Sequence, residues 1–246
     1  MHYFRLGPAA LRRSFFRVSF PFSVLNFFPS YPLFRVVMLG MIALTLGSAK
    51  PPSSGQMTPE QLVSRAFDNY QTLRSYQCRL ILHATKGETV QDSEYLFYYM
   101  KPNMVRMHVK EGRGKGDTVV MRSDGTVRGR REGILSMVAI TLNPEDERLR
   151  DLWGQRFHKT DWGTILKETE KRMNEHPSRR VELAPGGKRY ILTIEGKDGY
   201  LDQTWLEKDS MALTKKQVLM GNGDRLEATW TDVALNPQFD KHFFDF

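Results

Sequence analysis

The stretch from Tyr95 to Gly125 constrains the fold of this chain more than any other. Tyr95, Phe97, Tyr99 and Lys101, then Val105, Met107 and Val109, share one parity, while Met104, Arg106, His108 and Lys110 take the other. Period-two alternation marks half-buried β-strands, since successive side chains point to opposite faces. Pro102 cannot donate a ladder hydrogen bond, so it belongs at a strand start or turn and divides the stretch at Lys101-Pro102-Asn103. A glycine-rich turn over Glu111 to Gly116 leads into Thr118 to Arg122, closed by the hairpin signal Ser123-Asp124-Gly125. An antiparallel meander with one apolar face is expected.

Similar patterning flanks it. Tyr76 to Thr85 precedes a Lys86-Gly87-Glu88 turn. Past Arg179, Tyr190, Leu192 and Ile194 alternate, then come Tyr200 to Glu207, Leu213 to Met220 and Leu226 to Val233, separated by Lys197-Asp198-Gly199 and Gly221-Asn222-Gly223-Asp224. Short strands joined by Gly and Asp turns favour a curling antiparallel sheet over a parallel one. Thr58-Pro59-Glu60-Gln61 is a capping box with Pro at the first helical position, and the apolar stripe of Leu62 or Val63, Ala66, Phe67, Tyr70 and Leu73 predicts a helix to about Arg74. Two further helices are expected, from Asn143-Pro144-Glu145-Asp146 to about Trp153, and from Thr160-Asp161 through Met173. Thr126 to Gly133 is so polar that a strand there is doubtful.

At the Lys101-Pro102-Asn103 corner followed by Val-Arg-Met-His-Val, at Ser123-Asp124-Gly125, and at Asn236-Pro237 followed by Phe243 to Phe246, the chain resembles the LolA-like and LolB-like periplasmic lipoprotein carriers. The order and spacing of these elements over residues 58–246 carry the resemblance. It implies an α+β domain: an incomplete antiparallel β-barrel, a curled sheet whose concave face is capped by helices and holds acyl chains. In those carriers an arginine directly before the Pro bonds lid backbone and keeps the empty protein closed. Lys101 stands at that position, which implies a weaker latch, because an ammonium lacks the guanidinium's planar fork. The residues alone also allow an ordinary exposed lysine at a strand turn.

Formal charge is +8, but five arginines and no acid fall within residues 1–49, leaving +3 for the rest. A near-balanced body argues against nucleic-acid binding, which needs a clustered basic face. Residues 1–49 are Phe-rich and end in an apolar run, Val36 to Leu46, followed by Gly47-Ser48-Ala49. That pattern reads as a signal peptide or targeting leader cleaved after Ala49, with a membrane anchor as the alternative. Residues 50–57 read as a linker and 58–246 as the domain, exported to the periplasm. The single cysteine, Cys78, shares parity with Tyr76 and Leu80 and reads as a buried small hydrophobe.

The sequence motivates no catalysis, metal or cofactor. Gly112, Gly114 and Gly116 lack the order of a phosphate loop, no Gly-x-Ser-x-Gly occurs, and the six histidines show no i, i+4 pairing. The expectation is a monomeric, carrier-like or chaperone-like binding module rather than an enzyme. It would hold acyl chains of a lipid or lipoprotein and meet an envelope transporter or receptor. Expected ligand-binding residues are Tyr95, Phe97, Tyr99, Lys101, Val105, Met107 and Trp205, although the aromatics can equally pack on one another. The alternative is a cell-envelope accessory or structural protein that reuses the fold without a transported ligand.

Overall fold

The structure, a computed structural model, describes residues 57–246 except 132, 134–137 and 241. The signal-peptide reading, the linker up to residue 56 and part of the apolar run Leu135 to Leu142 lie outside the described residues.

Among the described residues, eleven strands form one antiparallel sheet. They are β1 (Ser75–Lys86), β2 (Thr89–Met100), β3 (Met104–Glu111), β4 (Asp117–Met121), β5 (Val127–Arg131), β6 (Ala139–Leu142), β7 (Ser178–Leu183), β8 (Arg189–Glu195), β9 (Leu201–Glu207), β10 (Leu213–Leu219) and β11 (Arg225–Leu235). Their order is β6-β5-β4-β3-β2-β1-β11-β10-β9-β8-β7, so two sequential meanders are joined where β1 pairs with β11. The edges, β6 and β7, do not pair with each other, and the barrel stays open.

Register fixes which parity faces the core. Tyr76, Cys78 and Leu80 oppose Tyr99, Phe97 and Tyr95, which in turn oppose Val105, Met107 and Val109. On the other side of β1, Leu80 and Leu82 oppose Trp230 and Ala228. Cys78 is buried in this layer, and burial pushes its thiol up, as expected of an inert core cysteine.

Two helices, α1 (Pro59–Thr72) and α2 (Trp162–Glu175), cover the concave face. The capping box forms: the Gln61 amide donates to Thr58 Oγ1 at 3.2 Å and the Thr58 amide to Gln61 Oε1 at 3.0 Å. Leu62, Val63 and Ala66 point into the core, where a fully buried Leu or Val side chain contributes about 1.5–3 kcal/mol. Asp161 caps α2 by accepting from the Thr164 amide. The next residue, Trp162, stacks on Tyr76 at 4.1 Å between ring centroids and 14° between planes, and its amide donates to the Tyr76 hydroxyl at 3.1 Å.

Two expectations need correction. Thr126 to Gly133 does contain a strand, β5, paired on both sides with β4 and β6. Its buried residues are Val127 and Gly129, while Arg128 and Arg130 take the opposite parity and Arg131, on the parity of Val127, pairs with Asp117 at the strand end. The C-terminal segment receives the first two: Arg130 lies over the Phe246 ring at 4.8 Å, and Arg128 donates to the Phe246 carbonyl at 3.2 Å. Conversely, the segment after Asn143 forms only a 3-10 turn, Glu147–Leu149. Its carboxylates compete for the backbone: Asp146 accepts from the Arg148 amide at 2.9 Å, and Asp151 from the amides of Trp153 at 2.9 Å and Gln155 at 2.8 Å. Few apolar residues remain there at helical spacing to repay a helix.

Candidate functional site

Between the sheet and its cover lies a cavity of about 700 Å³, within the range of about 300–1,000 Å³ typical of ligand sites. The sheet supplies an apolar floor that includes Leu80, Leu82, Tyr95, Met107, Ala228 and Trp230. Leu149 and Phe157 from the irregular segment and Ile165 from α2 close it from above. That segment is tied across the β1–β2 hairpin, where Trp153 Nε1 donates to the Thr85 carbonyl at 3.2 Å and the Leu152 amide to Gln91 Oε1 at 2.6 Å.

The seven residues singled out in the sequence separate. Tyr95 and Met107 line the cavity. Phe97, Tyr99 and Val105 are buried beyond it, with Phe97 and Tyr99 at 5.9 and 5.3 Å from the Tyr76 ring. Trp205 corrects the parity assumed for β9: the inward residues are Asp202, Thr204 and Leu206, and Trp205 faces the convex side beneath the Lys215 ammonium, 5.3 Å from its ring.

Lys101 reaches backbone carbonyls, though of α1 rather than of the irregular segment. Its Nζ donates to the carbonyls of Tyr70 at 2.8 Å and Gln71 at 2.9 Å, and lies 4.6 Å from the Tyr70 ring centre. The last turn of α1 has no basic residue of its own, so Lys101 supplies the cation that a helix C-terminus favours. Burial pushes the ammonium below its ordinary range, and the Asp161 charge partly opposes this. Nearby, the Tyr70 hydroxyl is 2.9 Å from both Asp161 Oδ1 and the Tyr99 hydroxyl, linking α1, α2 and β2. Burial first, then Tyr99 and Asp161, push the Tyr70 phenol up and keep it a neutral donor to the carboxylate. Replacing Lys101 by Leu is expected to cost about 1 kcal/mol after allowance for its partial exposure. Amide exchange should quicken in the last turn of α1; unchanged exchange there would leave Lys101 as mere surface.

Sequence reasoning missed a buried ion pair on the cavity wall. Lys216, which lines the cavity, has its Nζ 2.9 and 3.0 Å from the two Asp202 oxygens, 3.1 Å from Thr169 Oγ1 on α2 and 3.2 Å from Thr204 Oγ1. Thr169 gives its own proton to the Ile165 carbonyl at 2.9 Å, leaving a lone pair for the ammonium. Trp230 was missed too, although it shares the parity of Leu226 and Ala228.

No protein-family model matches the chain, and no curated protein matches it. Among solved structures it is similar to a DUF1329 family protein from Desulfovibrio piger ATCC 29098, at 12% identity and a TM-score of 0.41 over 75% of this chain and 94% of that one. It is also similar to a putative outer membrane lipoprotein-sorting protein domain from Vibrio parahaemolyticus, at 8% and 0.38 over 75% and 95% of the two chains. A third is a LolA superfamily protein from Nitrosomonas europaea, at 11% and 0.36 over 76% and 97%. LolA-like proteins thus stand among the solved structures this chain is similar to; its fold rests on the strand order and register described above.

Proposed function

We propose that this chain is a binding protein rather than an enzyme, and that it holds the acyl part of a lipid or lipoprotein in the cavity between sheet and helices. The observation that carries the reading is the cavity itself: an apolar floor left uncovered although the neighbouring Tyr76, Phe97 and Trp162 are packed tightly. Each methylene buried there contributes about 0.8 kcal/mol, so a chain of ten gives roughly 8 kcal/mol before the cost of association. The fold resemblance adds the expectation of a periplasmic, monomeric carrier that meets an envelope partner. The tight packing of Phe97, Tyr99 and Val105 in the core favours a second reading, an envelope protein with a filled core and no transported ligand.

One experiment separates the two. Protein released from a bacterial periplasm should start near Lys50 and carry copurified lipid in native mass spectrometry. Ala228→Phe puts a ring into the cavity floor without touching the aromatic stack. It should weaken binding of a fluorescent fatty-acid probe by at least about tenfold, the loss of two or more buried methylenes, while thermal unfolding stays close to wild type. Absence of lipid together with a probe affinity that ignores the substitution would favour the filled-core reading.

A further inference from the structure

The cavity is apolar along its floor, but two of the arginines that line it have no acidic partner among the described residues. The register places Asp117 opposite Arg131, then Val119 opposite Gly129, then Met121 opposite Val127 and Val127 opposite Leu142, so polarity falls from the β3–β4 turn inward. Most charges around the cavity are already matched. Arg131 pairs with Asp117 at 2.9 Å, Arg148 with Asp146 at 2.6 Å, and Glu168 with Arg172 at 2.9 Å. Asp151 accepts the backbone amides of Trp153 and Gln155, and burial pushes its carboxyl up.

Two cations remain. Arg113, in the β3–β4 turn, is exposed and has no ion-pair or hydrogen-bond partner among the described residues. Arg150, in the covering segment, makes a single 3.3 Å bond from Nη2 to the Glu145 carbonyl, and its Nε is buried without a partner. A third donor on the cavity wall, Trp230 Nε1, is also buried without an acceptor. Unpaired buried donors are costly unless a ligand supplies acceptors, and guanidinium groups suit the paired oxygens of a carboxylate or phosphate.

Building on the ligand reading above, we propose that the cavity takes an acidic amphiphile, its chain along the floor and its anionic oxygens at Arg113 and Arg150. A neutral amphiphile would leave the two guanidinium charges without a counter-charge, and a cationic one would be repelled.

The test is competition, on the purified and delipidated protein, against an uncharged pyrene-alkane probe. The competitors are myristic acid, myristoyl lysophosphatidate, tetradecanol and inorganic phosphate. Both acids should displace the probe at concentrations at least about tenfold below tetradecanol, the scale of one charge-assisted hydrogen bond, and added salt should narrow the gap. Arg113→Gln and Arg150→Met should each bring the acids toward tetradecanol while leaving tetradecanol unchanged. Arg113→Gln alters an exposed side chain and therefore preserves the fold, so it tests the idea even where Arg150→Met does not fold. Equal displacement by acid and alcohol, or an acid preference that survives Arg113→Gln, overturns the proposal while the acyl-binding reading stands. Protection of the acid site by inorganic phosphate alone would show a free-anion site and overturn it as well. If neither probe nor any amphiphile binds, the acyl-binding reading itself fails, and this one with it.

Discussion

Lys216→Met is expected to destabilise the protein by about 3–5 kcal/mol, the usual cost of stranding one partner of a buried ion pair. Lys216 and Asp202 have side-chain exposures of only 12% and 2%, so water cannot take over the solvation of the carboxylate. The ammonium has three protons, and it spends them on Asp202, Thr169 and Thr204, which ties α2 to β9 and β10. Methionine keeps the apolar stem but leaves Asp202 with the Tyr200 hydroxyl at 3.3 Å as its remaining side-chain partner. The double substitution Lys216→Met with Asp202→Leu should recover most of the loss, because a well-packed apolar pair replaces a buried ionic one at little net cost. Denaturant unfolding of the two single variants and the double variant gives the coupling directly. A loss below about 1 kcal/mol for Lys216→Met would mean that the site is wetter and the pair weaker than its geometry indicates.

The same pair shows what a sequence does and does not disclose. In Leu213 to Met220 two lysines are adjacent, and strand alternation requires one of them to face inward. The signal was present, but only the register of β10 with β9 identifies Lys216, opposite Thr204, as the inward one. Trp205 failed for the complementary reason. In Leu201 to Glu207 either parity is plausible by size, and the smaller Asp202 and Thr204 turn inward, where they serve Lys216 while Trp205 lies outside. The Tyr95 to Gly125 meander was readable because its alternation is local and its turns carry Gly, Pro and Asp at their corners. The strand β5 was not, since Arg128 and Arg130 are accommodated by Phe246, more than a hundred residues away. A cavity is a still longer-range property. Alternation tells which side chains face inward, but not whether they pack on one another, as Phe97 and Tyr76 do, or leave room, as at Met107 and Trp230.

The second large effect is expected at Gly163, on the first turn of α2 and buried against α1. A Cβ at this position would sit 2.4 Å from Tyr70 Cε1, 2.6 Å from Cζ and 2.8 Å from the hydroxyl oxygen, all on a rigid ring held between two helices. Alanine brings at most about 1 kcal/mol of helix propensity. Against that stand about 1–3 kcal/mol of overpacking and about 1 kcal/mol for displacing the Tyr70 hydroxyl from Asp161 and Tyr99. Gly163→Ala should therefore lose about 1–3 kcal/mol, lowering the melting temperature by roughly 2–12 °C for a domain of this size. The cause is checked by the pairing Gly163→Ala with Tyr70→Ala: once the ring is removed, the added methyl has space, so the double variant should be no less stable than Tyr70→Ala alone. If the two losses simply add, the close approach of α1 to α2 is not what requires glycine, and the Tyr70–Asp161 contact does not hold the two helices together.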